Sequence, residues 1–311
     1  MAVVGPTATG KSALGVELAE RLGGEVVSAD ASQLYRGMDI GTAKLRPTER
    51  RGVRHHQLDV LDVREEASVA AYQRAARADI EAVLRRGRVP LVVGGSGLYV
   101  RAVLDRLDIP PTDPAVRAGL EERAAQEGTP SLFAELRHVD PSAAAAVDPG
   151  NTRRIVRALE VVALTGRPFS ATMPTREFVR PTLVLGLRTG RDALDRRIDR
   201  RTRTMFEQGL IEETRALESM GLREGRTASR AVGYAQALAV LDARMTLEEA
   251  VSETALRTRR LVRRQESWFG ADERVHWLDA LGADVVQRAL AAVEQARSEA
   301  LAGEWDDGAH G

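Results

Sequence analysis

Residues Gly5-Pro6-Thr7-Ala8-Thr9-Gly10-Lys11-Ser12 match the pattern G-x-x-x-x-G-K-[ST] at every fixed position. An apolar fragment, Ala2-Val3-Val4, precedes them, and an amphipathic stretch running to Gly23-Gly24 follows. A loop of this kind between a strand and a helix has few ways to fold. Its backbone N–H groups converge at the helix N-terminus, where they cradle a diphosphate or triphosphate. Lys11 adds positive charge, and the Ser12 hydroxyl helps hold Mg2+. The motif implies a phosphate ester and leaves open which ester and what becomes of it.

The alternation continues through the first third of the chain. Glu25–Ser28 reads as a short strand ending near Asp30, and Ser68–Arg86 as a helix closed by Gly87. Val89–Val93 has the apolar run of a buried parallel strand and stops at Gly94-Gly95; Leu98–Leu104 opens another helix. This pattern predicts an α/β fold with a P-loop and a doubly wound parallel sheet. Ligands of such sheets lie beyond the carboxyl ends of the strands, so the P-loop, Asp30 and Ser96 are expected to converge.

The pattern breaks at Pro110-Pro111. Asp113-Pro114, Thr129-Pro130 and Asp140-Pro141 each read as an N-cap followed by proline at the first helical position. A longer helix is expected from Thr152 to Leu164, stopped by Gly166. Residues 109–180 are therefore expected to form a helical insert between 1–108 and 181–311, the two parts of a core. Thr182–Leu187 predicts a return to the sheet, arginine-rich helices fill 191–264, and Arg274–Leu278 predicts a last strand. The chain from Ala302 on reads as a frayed end.

Formal net charge is zero, but arginines crowd at 153–157, 188–203 and 257–264. Local basic patches on a neutral chain can bind nucleic acid. Cysteine is absent, which removes disulfides and thiolate metal sites from consideration. The first residues lack the pattern of a secretory signal, and no apolar run approaches the roughly 18 residues that span a bilayer. A soluble cytoplasmic protein is expected, with no membrane association. No self-complementary feature stands out, so a monomer without an obligate protein partner is expected.

Four segments carry a resemblance: Ser28–Lys44 (SADASQLYRGMDIGTAK), His55–Asp59 (HHQLD), Gly94–Tyr99 (GGSGLY) and Ala231–Tyr234 (AVGY), supported by Thr227–Gln236 and Arg259–Phe269. With the P-loop they closely resemble the bacterial tRNA dimethylallyltransferase family, also called tRNA isopentenyltransferases, in the right order over nearly the whole chain. The resemblance implies transfer of a dimethylallyl group from dimethylallyl diphosphate to N6 of the adenosine 3′ of the anticodon, in tRNAs reading codons that begin with U. It also implies that the P-loop, Gly5 through Ser12, holds the prenyl diphosphate, with Mg2+ at Ser12 and with Lys11 stabilising the leaving group.

Asp30 matches the family's catalytic aspartate, the general base on N6, and Ser96 a hydroxyl near the diphosphate and the tRNA. Arg197 and Arg201 match a family arginine pair; four apart, they share a helix face, and at least one is assigned to the diphosphate. By the same resemblance Asp30, Ala31, Ser32 and Gln33 lie against the target nucleotide. Arg153, Arg154, Ile155, Val156 and Arg157 line the tRNA surface, as do Arg230, Ala231, Val232, Gly233, Tyr234 and Ala235, and Arg117 is a further contact. Ser32 stands where the family pattern commonly has methionine.

Each of these residues also has a plainer reading. Asp30 at a strand end can cap a turn or hold Mg2+ through water, and Ser96 can be an ordinary loop hydroxyl. Arginine runs are often solvated faces paired with Glu and Asp. His55-His56 reads as polar packing, having no third ligand in reach, and Trp268-Phe269 as core. Three other functions stay open on the residues alone: a small-molecule P-loop kinase using ATP, a nucleotide-switched RNA-binding protein, and a prenyltransferase acting on free adenine nucleotides.

Overall fold

The computed structural model describes residues 1–172 and 176–307. In chain order, β1 (Ala2–Val4) leads through the P-loop into α1 (Lys11–Leu22), followed by β2 (Gly24–Ser28), β3 (His55–His56), α2 (Val69–Arg85), β4 (Val89–Gly94) and α3 (Gly97–Leu104). Four helices come next: α4 (Pro114–Glu127), α5 (Thr129–Val139), α6 (Pro141–Ala146) and α7 (Thr152–Thr165). The chain then forms β5 (Val184–Arg188), α8 (Arg191–Glu207), α9 (Leu210–Ser219), α10 (Tyr234–Leu241), α11 (Leu247–Gly270), β6 (Val275–Asp279) and α12 (Val285–Asp307).

Among the described residues the sheet has six strands in the order β3-β2-β4-β1-β5-β6, and all its pairings are parallel. β1 is short but lies between β4 and β5, and its three residues are fully buried. Val3 packs with Leu14 and Leu18 of α1, Val26, Leu91, Leu185 and Leu278 in one apolar cluster. A residue buried on both faces of a parallel sheet must be apolar throughout, which is why these strands were readable from sequence. β3 was not: its two histidines lack any strand pattern and pair at the sheet edge with Val26 and Val27.

Helix ends follow the caps in the sequence, with one exception. Ser68 Oγ accepts from Ala71 N at 3.3 Å, Asp113 caps Ala115 N and Val116 N, and Asp140 caps Ala143 N at 3.0 Å. α7 closes on Gly166 in the left-handed conformation. Thr129 is not a cap. It is the first residue of α5, Gly128 precedes it as the cap, and its hydroxyl lies 2.6 Å from that of Thr152. α12 is continuous through Asp307, so the loosening expected from Ala302 does not occur there; residues 308–311 lie outside the described residues.

The chain divides into two compact units, Met1–Val103 with Arg180–Gly311, and Leu104–Val179. The second begins ahead of Pro110-Pro111 because its ends are tied together. Asp105 pairs with Phe178 in an antiparallel bridge, Arg106 N donates to Glu177 O, and Val179 N donates to Leu104 O. Its core consists of Leu132, Leu136, Ala143, Ile155, Val156 and Leu159.

Candidate active site

Three strand ends of the first unit form the site. After β1, Gly5 takes φ +131°, and a Cβ there would stand 2.5 Å from Leu187 O, so only glycine fits. Ala8 (φ +68°) and Gly10 (φ +94°) are also left-handed, which turns successive N–H groups toward one side of the loop. Thr9 Oγ1 and Lys11 Nζ both donate to Pro6 O, at 2.8 and 2.7 Å. Thr7 N donates to Gln265 Oε1 at 2.9 Å, and Gln265 Nε2 donates to Gly95 O at 2.9 Å. One amide on α11 thus ties the P-loop to the turn after β4.

The ends of β2 and β4 are locked together. A Cβ on Gly94 would lie 2.2 Å from Ala29 O, so the two backbones touch. Ser96 N donates to Ala29 O, and Ala31 N donates to Ser96 Oγ, each at 3.2 Å. Asp30 Oδ1 accepts from Ser32 N at 3.0 Å. The Ser96 hydroxyl is an acceptor in this contact and keeps its own proton to donate.

A cavity of about 440 Å³ opens here. Thr7, Asp30, Ser96, Arg201, Arg230 and Arg264 line it, as do the apolar side chains of Ile198, Met205, Leu261 and Trp268. Burial pushes the Lys11 ammonium down to about 8; the Asp30 charge works against that shift and the Arg201 charge reinforces it. Arg201 is lowered by burial as well, again offset by Asp30. The Asp30 carboxylate thus interacts with both the Lys11 and the Arg201 charge, and Arg230 and Arg264 add further cations to the cavity lining.

Not all the expected residues come together there. Asp30, Ala31, Ser32, Ser96, Thr7, Arg201, Arg230, Ala231 and Val232 line the cavity. Arg197 does not; its guanidinium approaches Gly10 from a separate pocket lined by Thr9 and Glu17. Ser12 and Gln33 line a third, small gap with Ser28. Gln33 is used internally: its Oε1 accepts from Ser28 Oγ and its Nε2 donates to Thr42 O, both at 3.2 Å.

Within the Arg230–Ala235 segment Gly233 and Tyr234 are buried. Tyr234 OH donates to Glu213 Oε1 at 2.5 Å and accepts from Gly41 N at 3.2 Å, which pins the Asp39–Gly41 loop. In the second unit Ile155 and Val156 belong to the helical core. Arg117 and Arg157 both pair with Glu160, a fully buried carboxylate, at 2.6 and 2.8 Å. Arg153 and Arg154 are exposed.

Sequence reading missed the wall formed by α11. Thr254, Thr258, Leu261, Gln265 and Trp268 recur at helical spacing and all line the cavity, a stripe that resembles an ordinary core face. Phe269 is core as expected, but Trp268 is 42% exposed, rests against Gly97 and carries the Arg101 guanidinium over its ring at 5.8 Å. His56 is packed between Glu25 and Asp79, at 2.7 and 3.4 Å, and His55 meets Val53 O. Among the described residues no group of three or more His, Cys, Asp or Glu is arranged to hold a metal, and no helix is long and apolar enough to cross a membrane.

A family model described as IPP transferase matches residues 33–272. The chain belongs to the IPP transferase family. A tRNA dimethylallyltransferase of Streptomyces avermitilis is 57% identical over 298 residues, covering 95% of this chain and 96% of the relative. The crystal structure of the tRNA isopentenylpyrophosphate transferase of Bacillus halodurans is similar with TM-score 0.69 and 39% identity, over 96% of this chain and 97% of that one. A eukaryotic dimethylallyltransferase, captured in crystallographic snapshots acting on tRNA, matches with TM-score 0.83 and 27% identity, over 96% of this chain and 79% of that one. For an IPP transferase, a cavity lined by both cationic and apolar side chains suits a diphosphate that carries a short apolar tail.

Proposed function

We propose that this protein transfers a dimethylallyl group from dimethylallyl diphosphate to N6 of the adenosine 3′ of the anticodon, in tRNAs reading codons that begin with U. One observation carries the reading: a single cavity is lined by Thr7 of the phosphate loop, Arg201, the Asp30 carboxylate and a set of apolar side chains. The diphosphate lies at the P-loop, where Lys11 and Arg201 stabilise charge as it develops. The five-carbon tail lies against Ile198, Met205 and Leu261. The acceptor base is stacked in the anticodon loop and is flipped out to enter.

In the reaction the N6 lone pair forms the new bond to the allylic carbon. The carbon–oxygen bond of the donor breaks, and its electron pair leaves with the diphosphate. The proton of N6 passes to Asp30, which needs no unusual basicity because an amine becomes acidic as it is alkylated. Ser96 donates a hydrogen bond, keeping its proton, to an oxygen of the leaving group.

The donors at the head of α1 suit Mg2+. Ser12, in the first turn of α1, offers a hard hydroxyl oxygen, and Mg2+ is usually held by one or two protein groups together with substrate phosphates. When bound, the ion would neutralise charge on the diphosphate. The reading needs tRNA and the prenyl diphosphate as partners and no other protein, and it places a monomer in the cytoplasm. Residues 109–180 act in it as an insert that contacts tRNA outside the cavity.

Mass spectrometry of an anticodon stem-loop incubated with protein, Mg2+ and dimethylallyl diphosphate tests this directly. A five-carbon adduct on the adenosine 3′ of the anticodon is expected. No adduct, with phosphate turnover in a parallel ATP reaction, would replace the reading with a kinase. The exposed pair Arg153 and Arg154 is the tRNA contact in the second unit. Replacing both with alanine is expected to flatten the plot of log affinity against log salt by about 1 per arginine, weakening all tRNAs alike. An unchanged slope in filter binding would move the contact elsewhere.

A further inference from the structure

One polar group in the cavity has no use in this scheme. Thr254 on α11 is 2% exposed, lines the same cavity as Asp30, and its Oγ1 has no hydrogen-bond partner. Helical threonines normally return their hydroxyl to the carbonyl four residues back. Thr165, Thr214 and Thr258 do so, to Val161 O, Leu210 O and Thr254 O, at 2.7, 2.7 and 2.8 Å. Thr254 does not. A buried hydroxyl left unpaired is destabilising, and its persistence calls for an explanation.

The candidates for its partner are what enters the cavity. The five-carbon tail has no atom that can hydrogen-bond. The diphosphate belongs to the other end: Gln265, tied to Thr7 of the P-loop, lies three helical turns further along α11, about 16 Å at 1.5 Å per residue. The same cavity is lined by the hydroxyls of Thr202 and Thr227, by Met205 and Val232, and by Arg201, Arg230 and Arg264, so what enters it meets polar edges as well as apolar surface. A flat heterocycle with ring nitrogens and an exocyclic amine fits that chemistry.

We propose that Thr254 is a specificity-determining residue for the acceptor, its hydroxyl bonding to the edge of the flipped adenine. The inference rests on the proposed function and adds to it a group that reads the base. It predicts that Thr254→Val, which keeps the shape and removes the hydroxyl, lowers kcat/KM for the stem-loop by about tenfold. KM for dimethylallyl diphosphate stays unchanged, and Tm of the ligand-free protein stays equal or rises because an orphaned polar atom has gone. Thr254→Ser, which keeps the hydroxyl, stays within about twofold of the parent for the stem-loop.

A merely structural threonine would give the opposite pattern: a lower Tm with both substrates affected alike. That result overturns the proposal, as does a Thr254→Val protein with parental kcat/KM for the stem-loop, or a loss confined to the KM of the donor. If the parent protein itself makes no adduct, the proposed function fails and the inference falls with it. If the parent is active and the valine variant equals it, Thr254 alone is excluded.

Discussion

Asp30→Asn is expected to lower the single-turnover rate of adduct formation by a factor on the order of 10²–10⁴, the usual worth of a positioned general base. The affinity for the anticodon stem-loop is expected to change little. The geometry separates the two effects. Asp30 Oδ1 accepts from Ser32 N, and the neighbouring backbone is held by Ser96 and Gly94 independently of the carboxylate. The asparagine carbonyl can keep the bond to Ser32, so the loop stays in place. What is lost is the acceptor for the N6 proton and the negative charge that faces Lys11 and Arg201. Rapid-quench mass spectrometry gives the rate and fluorescence anisotropy of a labelled stem-loop gives the affinity. A variant that keeps more than about a tenth of the parental rate would remove Asp30 from proton transfer.

The parts of the site that were legible are those whose physics is local. The P-loop is a backbone conformation fixed by glycines at set spacing, and Asp30 and Ser96 stand at strand ends that an α/β pattern already directs to one edge. Less legible is which face of a segment is free. Along residues 153–157 each helical residue turns about 100° from the last, so the five side chains point to different sides. Ile155 and Val156 are accordingly core, while Arg153 and Arg154 are outside. The segment from Arg230 to Ala235 divides in the same way at Tyr234, which the start of α10 turns inward onto Gly41.

Other features depend on pairing that spacing does not reveal. Arg117 and Arg157, expected at the tRNA surface, both pair with Glu160, which is distant from Arg117 in sequence, and the fold buries that carboxylate between them. A fully buried glutamate draws arginines in wherever they are available, since an unpaired charge there is far costlier than a paired one. Lys44 is a second case. It ends the segment most specific to the family, and its buried side chain reaches Asp39 and Asp59, at 2.7 and 2.5 Å, and Tyr35 O, tying those three stretches of chain together. The wall of α11 was hidden for a third reason: a helix stripe facing a cavity and one facing a core have the same period, and only the missing partner of Thr254 tells them apart.

Lys11→Met is expected to lower kcat/KM for dimethylallyl diphosphate by a factor on the order of 10²–10³, as for loss of one preorganised charge at a developing anion. The pH dependence gives a sharper test. In the ligand-free protein burial holds Lys11 near 8, against its ordinary 10.5. It is charged below that value and neutral above it. Because kcat/KM reports the free enzyme, donor efficiency is expected to fall as pH rises through about 8. The bound diphosphate favours the charged form and raises the value, so kcat should hold to higher pH. Stability moves the other way. Between about 8 and 10.5 the unfolded chain binds the lysine proton more tightly than the folded one, so the ligand-free protein gains stability with rising pH across that window. Relative to Lys11→Met, the parent should therefore become more stable and a poorer catalyst over the same range. Lys11→Arg, charged at every working pH, should lose the alkaline fall in kcat/KM whatever its absolute rate. If that fall persists unchanged in the arginine protein, it belongs to another group, and the charge that holds the diphosphate has to be sought at Arg201.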